Sequence, residues 1–141
     1  MELRRLEKSD FRPQYFALLR QLTSCNDDRI SKNSFDQFID YLGPFHQIWV
    51  LEENGRIVGT GTLLVEQKII HDMGKVGHIE DIVIDSMCRG VGLGEKLVKH
   101  LKETAFQLGC YKVILNCSDD KKGFYQKGGF LQKGKMMESR I

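Results

Sequence analysis

Arg89-Gly90-Val91-Gly92-Leu93-Gly94 is the stretch of this 141-residue sequence that decides its fold class. It lies between a predicted strand, which ends at Asp85, and a predicted amphipathic helix, which ends at Gly109. Because its three alternating glycines carry no side chains, a phosphate group can approach the backbone N–H groups at the positive end of the helix dipole. The stretch therefore predicts a loop that binds a pyrophosphate.

The spacing of these glycines argues against two common nucleotide-binding loops. A P-loop continues its last glycine with Lys and then Ser or Thr, whereas Glu95 follows Gly94 here and no Ser or Thr follows Lys96. A dinucleotide-binding loop needs the spacing G-x-G-x-x-G, which this loop lacks. Nucleoside triphosphates and NAD are thus poor candidates for the ligand.

Hydrophobic spacing and capping residues predict the elements around the loop. Before it we expect a strand at residues 3–6, helices at 9–23 and 35–42, a hairpin of strands 48–51 and 57–65 turning at Asn54-Gly55, and a strand at 78–85. After the loop helix we expect a strand at 111–117, a short helix ending at Lys127 and a last strand at 130–137. The order β-αα-ββ-β-α-β-α-β predicts an α+β (mixed α/β) protein.

The strand at residues 78–85 combines an apolar run with two adjacent acids. Simple alternation predicts Ile79 and Val83 on one face of this strand, and Ile82 and Ile84 on the other. We therefore expect a mostly apolar strand with two acids, Glu80 and Asp81, set into it.

Composition predicts one globular domain over residues 1–141, with 41% hydrophobic and 28% charged residues. The net charge of +2 is too small to indicate a nucleic-acid partner. The sequence shows no secretory leader, transit peptide or apolar run long enough for a bilayer, so no membrane partner is expected. Four cysteines without a CxxC pair are typical of a reducing compartment, and we expect a cytoplasmic protein.

The stretch Arg89 to Gly94, directly after a strand and opening an amphipathic helix, resembles the acetyl-CoA signature Q/R-x-x-G-x-G/A of the GNAT superfamily of N-acetyltransferases. The resemblance implies the GNAT acyl-CoA N-acyltransferase fold, whose mixed, mainly antiparallel sheet is flanked by helices. It also implies acetyl-CoA as the cosubstrate and no metal. The residues it places against the coenzyme are Ile82, Val83, Ile84, Arg89, Gly90, Val91, Gly92, Leu93, Gly94 and Tyr125.

Within that superfamily the chain is similar to the glucosamine 6-phosphate N-acetyltransferase family from about residue 68 to residue 140. The segments that carry the likeness, besides the glycine loop, are Lys68-Ile69-Ile70-His71, Gly77-His78-Ile79-Glu80-Asp81-Ile82-Val83, Gly109-Cys110-Tyr111-Lys112-Val113-Ile114-Leu115 and Gly123-Phe124-Tyr125-Gln126-Lys127-Gly128-Gly129-Phe130. The implied reaction transfers acetyl to the 2-amino group of D-glucosamine 6-phosphate, a step towards UDP-N-acetylglucosamine.

The resemblance also assigns the chemistry of the site. It puts the acetyl carbonyl beside the backbone N–H of Ile82, and it puts Glu80 and Asp81 against the sugar, where carboxylates can help to remove the amine's proton. It gives Tyr125 the role of stabilising or protonating the coenzyme thiolate. Asn116 stands where the family generally has an acidic residue: its backbone carbonyl can still accept a hydrogen bond from the amine, but its side chain cannot act as a base.

The resemblance further implies how the sugar phosphate is held. Arg140 suits a phosphate because its planar guanidinium can donate two hydrogen bonds at once. A homodimer with shared active sites is implied, with the C-terminal strand contributing across the interface. The implied substrate contacts are Thr23, Lys68, His71, Glu80, Asp81, Lys112 and Arg140.

Two alternatives remain open from the sequence. One is an acetyltransferase that acts on another small amine or on a protein, because the glycine loop alone does not select the acceptor. The other is a non-catalytic module that binds acyl-CoA but performs no transfer. The presence of Tyr125 and of the Glu80-Asp81 pair favours an enzyme over such a module.

Overall fold

The computed structural model describes all 141 residues, from Met1 to Ile141. Its strands are β1 (Glu2–Arg5), β2 (His46–Glu53), β3 (Arg56–Gln67), β4 (Lys75–Ile84) and β5 (Cys110–Ile114). Its helices are α1 (Pro13–Leu19), α2 (Lys32–Tyr41), the single turn α3 (Ile70–Met73), α4 (Leu93–Gln107) and α5 (Lys122–Lys127). Apart from α3, which was not predicted, the predicted order of elements is confirmed as far as α5.

The five strands form one sheet in the order β1-β2-β3-β4-β5. The first four are antiparallel to their neighbours, and β5 joins β4 in parallel, so the mixed, mainly antiparallel sheet is confirmed. Helix α4 packs on one face, over a core that includes Leu51, Leu63, Ile79, Leu97 and Leu101. Helices α1 and α2 pack on the other face, over a core that includes Leu6, Phe16, Phe35, Val50 and Val83.

The β2–β3 turn confirms a local sequence signal. Asn54 and Gly55 both have positive φ angles, +51° and +79°, which is the backbone that a two-residue hairpin turn of type I′ requires. Asn and Gly tolerate this conformation better than other residues do. The dipeptide therefore fixes where the chain reverses.

A β-bulge lies in the middle of β4. The two residues that flank Gly61 in β3 pair with Val83 and Glu80, which are three positions apart. Two residues of β4, Asp81 and Ile82, therefore lie opposite the single residue Gly61. Asp81 adopts φ +53°, a left-handed conformation that aspartate tolerates.

The bulge reverses the alternation of side chains along β4. Ile79, before it, and Ile82 and Ile84, after it, all pack toward α4, whereas Val83 is buried under α1 and α2. The prediction that Ile79 and Val83 share a face was wrong, because one extra residue shifts the period of two by one position.

The C-terminal segment after α5 contains no strand, so the strand predicted at residues 130–137 is absent from the isolated chain. Its apolar side chains are largely exposed, Leu131 by 76%, Met136 by 63% and Met137 by 92%. An extended segment becomes a strand only when a neighbouring strand accepts its backbone hydrogen bonds, and no strand of this chain does so. We call residues 128–141 the C-terminal tail.

A buried ion network fixes the start of the chain against the β2–β3 hairpin. Asp10, only 1% exposed, accepts two 2.8 Å hydrogen bonds from the guanidinium of Arg4 and one of 2.9 Å from the backbone N–H of Glu7. Glu52 accepts further bonds of 3.3 Å from Arg4 and Arg12. Burial alone would raise the pKa of Asp10, but these donors outweigh it and hold the pKa below its ordinary 3.8.

Replacing Asp10 by asparagine should lower the free energy of unfolding by about 2 kcal/mol, because the Arg4 charge loses its buried partner. The lowered pKa stabilises the folded wild type above about pH 4, and this contribution is lost as the pH falls below that value. Urea unfolding between pH 3 and pH 7 measures both effects. Glu7→Gln is the control: its ion pair with Arg4 is exposed, and we expect a loss below about 0.5 kcal/mol. Equal losses of unfolding free energy in the two variants would contradict the conclusion that the buried Asp10–Arg4 pair stabilises the fold more than the Glu7–Arg4 pair does.

Candidate active site

Strands β4 and β5 pair along only part of their length. The parallel pairing runs from Lys75 opposite Cys110 to His78 opposite Ile114, and it ends there. Residues 79–84 of β4 thus have no neighbouring strand on the β5 side, so backbone groups on that side are available to a ligand, except the Ile84 carbonyl, which accepts a hydrogen bond from Arg89. We call this opening the β4–β5 gap. Since β4 leads directly into the glycine loop, the gap and the loop are neighbours.

The glycine loop presents bare backbone at the start of α4. Gly90 and Gly92 have φ angles of +87° and +83°, and Gly92 caps the helix. A Cβ atom added at either glycine would meet no atom of the chain within 4 Å. Open space therefore lies in front of both, as an approaching phosphate requires. Arg89 holds the loop to β4 through a 3.0 Å hydrogen bond from Nε to the carbonyl of Ile84.

Tyr125 of α5 provides a buried phenol near the end of β5. Its side chain is 9% exposed, and its ring packs against Phe124 and Phe130, with centroid distances of 4.9 and 5.9 Å. Burial raises the pKa of its hydroxyl above the ordinary value of 10, and the nearby thiol of Cys117 raises it further. The phenol is therefore neutral at physiological pH and can donate a proton.

Glu80 and Asp81 place carboxylates at the bulge. Glu80 is half-buried and Asp81 is exposed. Asp81 lies at the edge of a groove of about 330 Å³ between the sheet and helices α1 and α2, whose other walls include Tyr15 and Phe35. Burial raises the pKa of Tyr15 to about 12, so this phenol is neutral as well. Asp81 is the only carboxylate among the groove-lining residues.

Thr23 and Asn116 both lie near the carboxyl ends of the two diverging strands. Thr23 closes α1 through a 3.2 Å hydrogen bond to the carbonyl of Leu19 and is exposed. The same turn is tied to the end of β4, because Gln21 accepts a 2.9 Å bond from the backbone N–H of Ser86. Asn116 is exposed, two residues beyond the end of β5. These two predicted residues thus lie at the same end of the sheet as Asp81.

Three predicted phosphate contacts lie toward the opposite end of β4, and two of them, His71 and Lys112, are beside Tyr111. The rings of His71 and Tyr111 are 4.4 Å apart, and the Lys112 ammonium lies 5.7 Å from the Tyr111 ring. Lys68, on the same connection as His71, forms a 3.1 Å ion pair with Glu66. Residues 71–73 all have positive φ angles, a strained backbone for residues other than glycine. We call Lys68, His71, Tyr111 and Lys112 the Tyr111 cluster.

One chain does not bring the Tyr111 cluster to the bulge. Lys112 pairs with Val76, which is five residues from Asp81 along β4. At about 3.3 Å per residue this is a backbone separation of about 16 Å. Arg140 stands apart from both groups, 83% exposed in the tail and paired with Glu138 at 2.6 Å.

The sequence did not predict two features of this region. The first is Gly61, whose only sequence signal is its place in a Gly-x-Gly pattern inside a strand. The second is a groove of about 310 Å³ between α4 and α5, lined by Tyr125 and by three lysines, Lys99, Lys102 and Lys127. The spacing of Glu95, Lys99, Lys102 and Glu103 along α4 could have indicated a shared charged face with residues of both signs.

Other features of the chain bear on its chemistry. Its four cysteines are free thiols, of which Cys110 is buried. No group of three or more His, Cys, Asp or Glu side chains converges as metal ligands would. None of its helices combines the length and the apolar character that crossing a bilayer demands.

Comparisons with known proteins agree with this geometry. The model of the acetyltransferase (GNAT) family matches residues 3–130. A probable glucosamine 6-phosphate N-acetyltransferase 2 of Oryza sativa is 43% identical, over 97% of this chain and 86% of that protein. The glucosamine 6-phosphate N-acetyltransferase of Candida albicans is 39% identical, over 98% and 94%.

A solved structure shows the same fold. The crystal structure of glucosamine-6-phosphate N-acetyltransferase from Arabidopsis thaliana superposes with a TM-score of 0.93 at 40% identity, covering 99% of this chain and 97% of that one. The predicted α+β GNAT fold is thereby confirmed. The chain belongs to the GNAT acetyltransferase family and, within it, to the glucosamine 6-phosphate N-acetyltransferases.

Proposed function

We propose that this chain, as a single domain over residues 1–141, transfers the acetyl group of acetyl-CoA to the 2-amino group of D-glucosamine 6-phosphate. The products are N-acetyl-D-glucosamine 6-phosphate and CoA. The observation that carries the proposal is the β4–β5 gap, an unpaired edge of β4 that runs through the bulge acids and ends a few residues before the glycine loop. The names of the relatives supply the acceptor. With four free cysteines, we place this reaction in the cytoplasm.

Acetyl-CoA fits the gap and the loop together. Its pyrophosphate would bind the N–H groups of residues 89–94 at the start of α4, where Gly90 and Gly92 leave the space open. Its pantetheine arm would take the place of a missing neighbouring strand beside Ile82, Val83 and Ile84. The free edge of β4 would thus bind the coenzyme as it would bind another strand.

The reaction needs a neutral amine, a polarised carbonyl and a proton for the departing thiolate. Glu80 and Asp81 would accept hydrogen bonds from the incoming ammonium and pass one proton to water. The amine nitrogen then bonds to the thioester carbon while the N–H of Ile82 stabilises the oxyanion. The attacking nitrogen then gives a second proton to water through the same acids. The C–S bond breaks as the tetrahedral intermediate collapses, Tyr125 gives its proton to the CoA sulfur, and the phenolate regains a proton from solvent.

Asn116 is proposed to act through its backbone. An asparagine side chain cannot take a proton from the amine, but the main-chain carbonyl at the end of β5 can accept a hydrogen bond from it. The exposure of Asn116 beside the gap is compatible with this role. Proton removal then rests on the two acids of β4.

The sugar phosphate is proposed to bind between two copies of the chain. The Tyr111 cluster is too far from Asp81 within one chain, so Lys68, His71 and Lys112 would serve the site of a partner copy. The exposed apolar residues near that end of the sheet, Leu64, Ile69, Ile70, Met73 and Ile114, would be covered by such a partner. In a homodimer the tail could find the neighbouring strand that it lacks in one chain, and Arg140 would act across the interface.

Release of CoA from acetyl-CoA, followed with a thiol reagent, tests the function on the full chain. We expect glucosamine 6-phosphate to exceed unphosphorylated glucosamine in kcat/KM by at least about 100-fold, because cationic groups built to hold the phosphate are left unpaired without it. Spermidine and a lysine-containing peptide complete the panel. Fast acetylation of one of these without turnover of glucosamine 6-phosphate would refute the acceptor, and binding of acetyl-CoA without any transfer would indicate a non-catalytic module.

A further inference from the structure

Gly61 is the one residue of β3 that lies opposite two residues of β4. A Cβ atom added to it would lie 2.4 Å from Cδ1 of Ile82, 3.1 Å from Cδ1 of Leu101 and 3.3 Å from Cδ2 of Leu97. The backbone of Gly61 has no positive φ angle, so an alanine there would meet no backbone strain. The space beside Gly61 is therefore occupied by the side chain of Ile82.

The bulge explains this close approach. The extra residue in β4 turns Ile82 toward α4, so its side chain enters the layer between sheet and helix directly over Gly61. Leu97 and Leu101 are fully buried on the α4 side of this contact, so a methyl group at position 61 would displace the partly buried Ile82 away from α4. A glycine in a strand interior commonly marks such a close contact. Because position 61 has no side chain, the side chain of Ile82 can pack close to β3 in the layer between the sheet and α4.

We propose that Gly61 is a positioning residue for the acetyl group, acting through Ile82. The inference rests on the proposed function, in which the backbone N–H of Ile82 polarises the acetyl carbonyl. A side chain at position 61 would push Ile82 away from α4 and move its N–H with it. Misplacement of a catalytic donor by a fraction of an ångström to 1 Å slows a reaction far more than it weakens substrate binding.

Gly61→Ala should lower kcat by about tenfold, with the KM for the sugar phosphate changed less than about twofold. Gly77→Ala is the matched control. It lies at the other end of β4, and its Cβ would crowd the same sheet–helix layer, 2.9 Å from Cβ of Ala105. We expect it to lower the melting temperature by a similar amount while kcat stays within about twofold of wild type. An equal loss of kcat in both variants would reduce Gly61 to a packing residue.

A double-mutant cycle with Ile82→Val makes the test specific. This change removes Cδ1, the atom nearest to the added methyl group, so Gly61→Ala should slow turnover by less than about threefold when measured in the Ile82→Val background. An unchanged tenfold effect in that background would overturn the proposal.

The affinity ratio of acetyl-CoA to CoA gives a readout that needs no acceptor. The carbonyl contact with Ile82 favours acetyl-CoA, so this ratio should fall in Gly61→Ala and stay unchanged in Gly77→Ala. If wild type fails to turn over glucosamine 6-phosphate, the acceptor assignment fails while the ratio still decides the role of Gly61. If wild type is active and the ratio does not move in Gly61→Ala, the inference about Gly61 fails alone.

Discussion

Replacing Tyr125 with phenylalanine should lower kcat by at least about 100-fold and change the Kd for acetyl-CoA by less than about threefold. The substitution removes one hydroxyl and keeps the ring, which packs against Phe124 and Phe130 in the core. In the proposed mechanism Tyr125 gives its proton to the CoA sulfur only as the C–S bond breaks. Its loss therefore affects the transition state and leaves the ground-state complex nearly unchanged.

The pH dependence of the wild type adds a second check on Tyr125. Burial raises the pKa of its hydroxyl above 10, so the protonated form is present at every pH below that value. Between pH 7 and about pH 9.5, kcat should show no fall that belongs to this residue. Turnover is measured by single-turnover and steady-state release of CoA.

Tyr41→Phe is the control for the chemical change itself. Tyr41 is 69% exposed on α2, and the loss of its hydroxyl should leave kcat within about twofold of wild type. Wild-type rates in Tyr125→Phe would remove its role as an acid. A parallel fall in kcat and in affinity for acetyl-CoA would instead make Tyr125 a binding residue.

The sequence predicts this site well wherever a short stretch is sufficient. The conformation of the glycine loop depends only on its own residues and on the helix that follows it. Gly90 and Gly92 adopt the positive φ angles that glycine tolerates. The hairpin at Asn54-Gly55 and the buried stripe of α4 likewise depend on residues that are close in the chain.

Features that depend on pairing with a distant strand could not be predicted from the sequence. The bulge at Asp81 is a relation between β3 and β4, and alternation within β4 alone assigned Val83, Ile82 and Ile84 to the wrong faces. The apolar pattern of residues 130–137 is typical of a strand, yet no strand in the chain pairs with it. Hydrophobic periodicity reports which residues can be buried, and not which partner buries them.

Replacing Arg140 with alanine should raise the KM for glucosamine 6-phosphate by about 100-fold and change the KM for acetyl-CoA by less than about twofold. In the isolated chain Arg140 is 83% exposed and paired only with Glu138, a setting in which an alanine substitution has little effect. A large effect therefore requires that the tail closes over a site and that the guanidinium binds the phosphate. Arg140→Lys should recover part of the loss, since it restores the charge without the planar fork.

Lys135→Ala provides the matched control, because it removes a cation from the same exposed tail at a position with no proposed contact. We expect its KM values to stay within about twofold of wild type. If Arg140→Ala and Lys135→Ala raise the sugar phosphate KM equally, the tail acts through its net charge and not through a specific contact. If neither changes it, Arg140 does not bind the phosphate.

Mixing two impaired variants shows whether Arg140 binds substrate in the active site of its own chain or in that of a partner chain. A dimer of one Arg140→Ala chain and one Tyr125→Phe chain contains an intact Tyr125 and an intact Arg140 on different chains. If the tail crosses the interface, one of its two sites holds both groups. Random re-association of equal amounts, assayed at a sugar phosphate concentration well below the wild-type KM, should then restore about a quarter of the wild-type activity. If Arg140 serves its own chain, every site lacks one of the two groups and no activity returns. Recovery would thus establish both the dimer and the direction in which the tail crosses it.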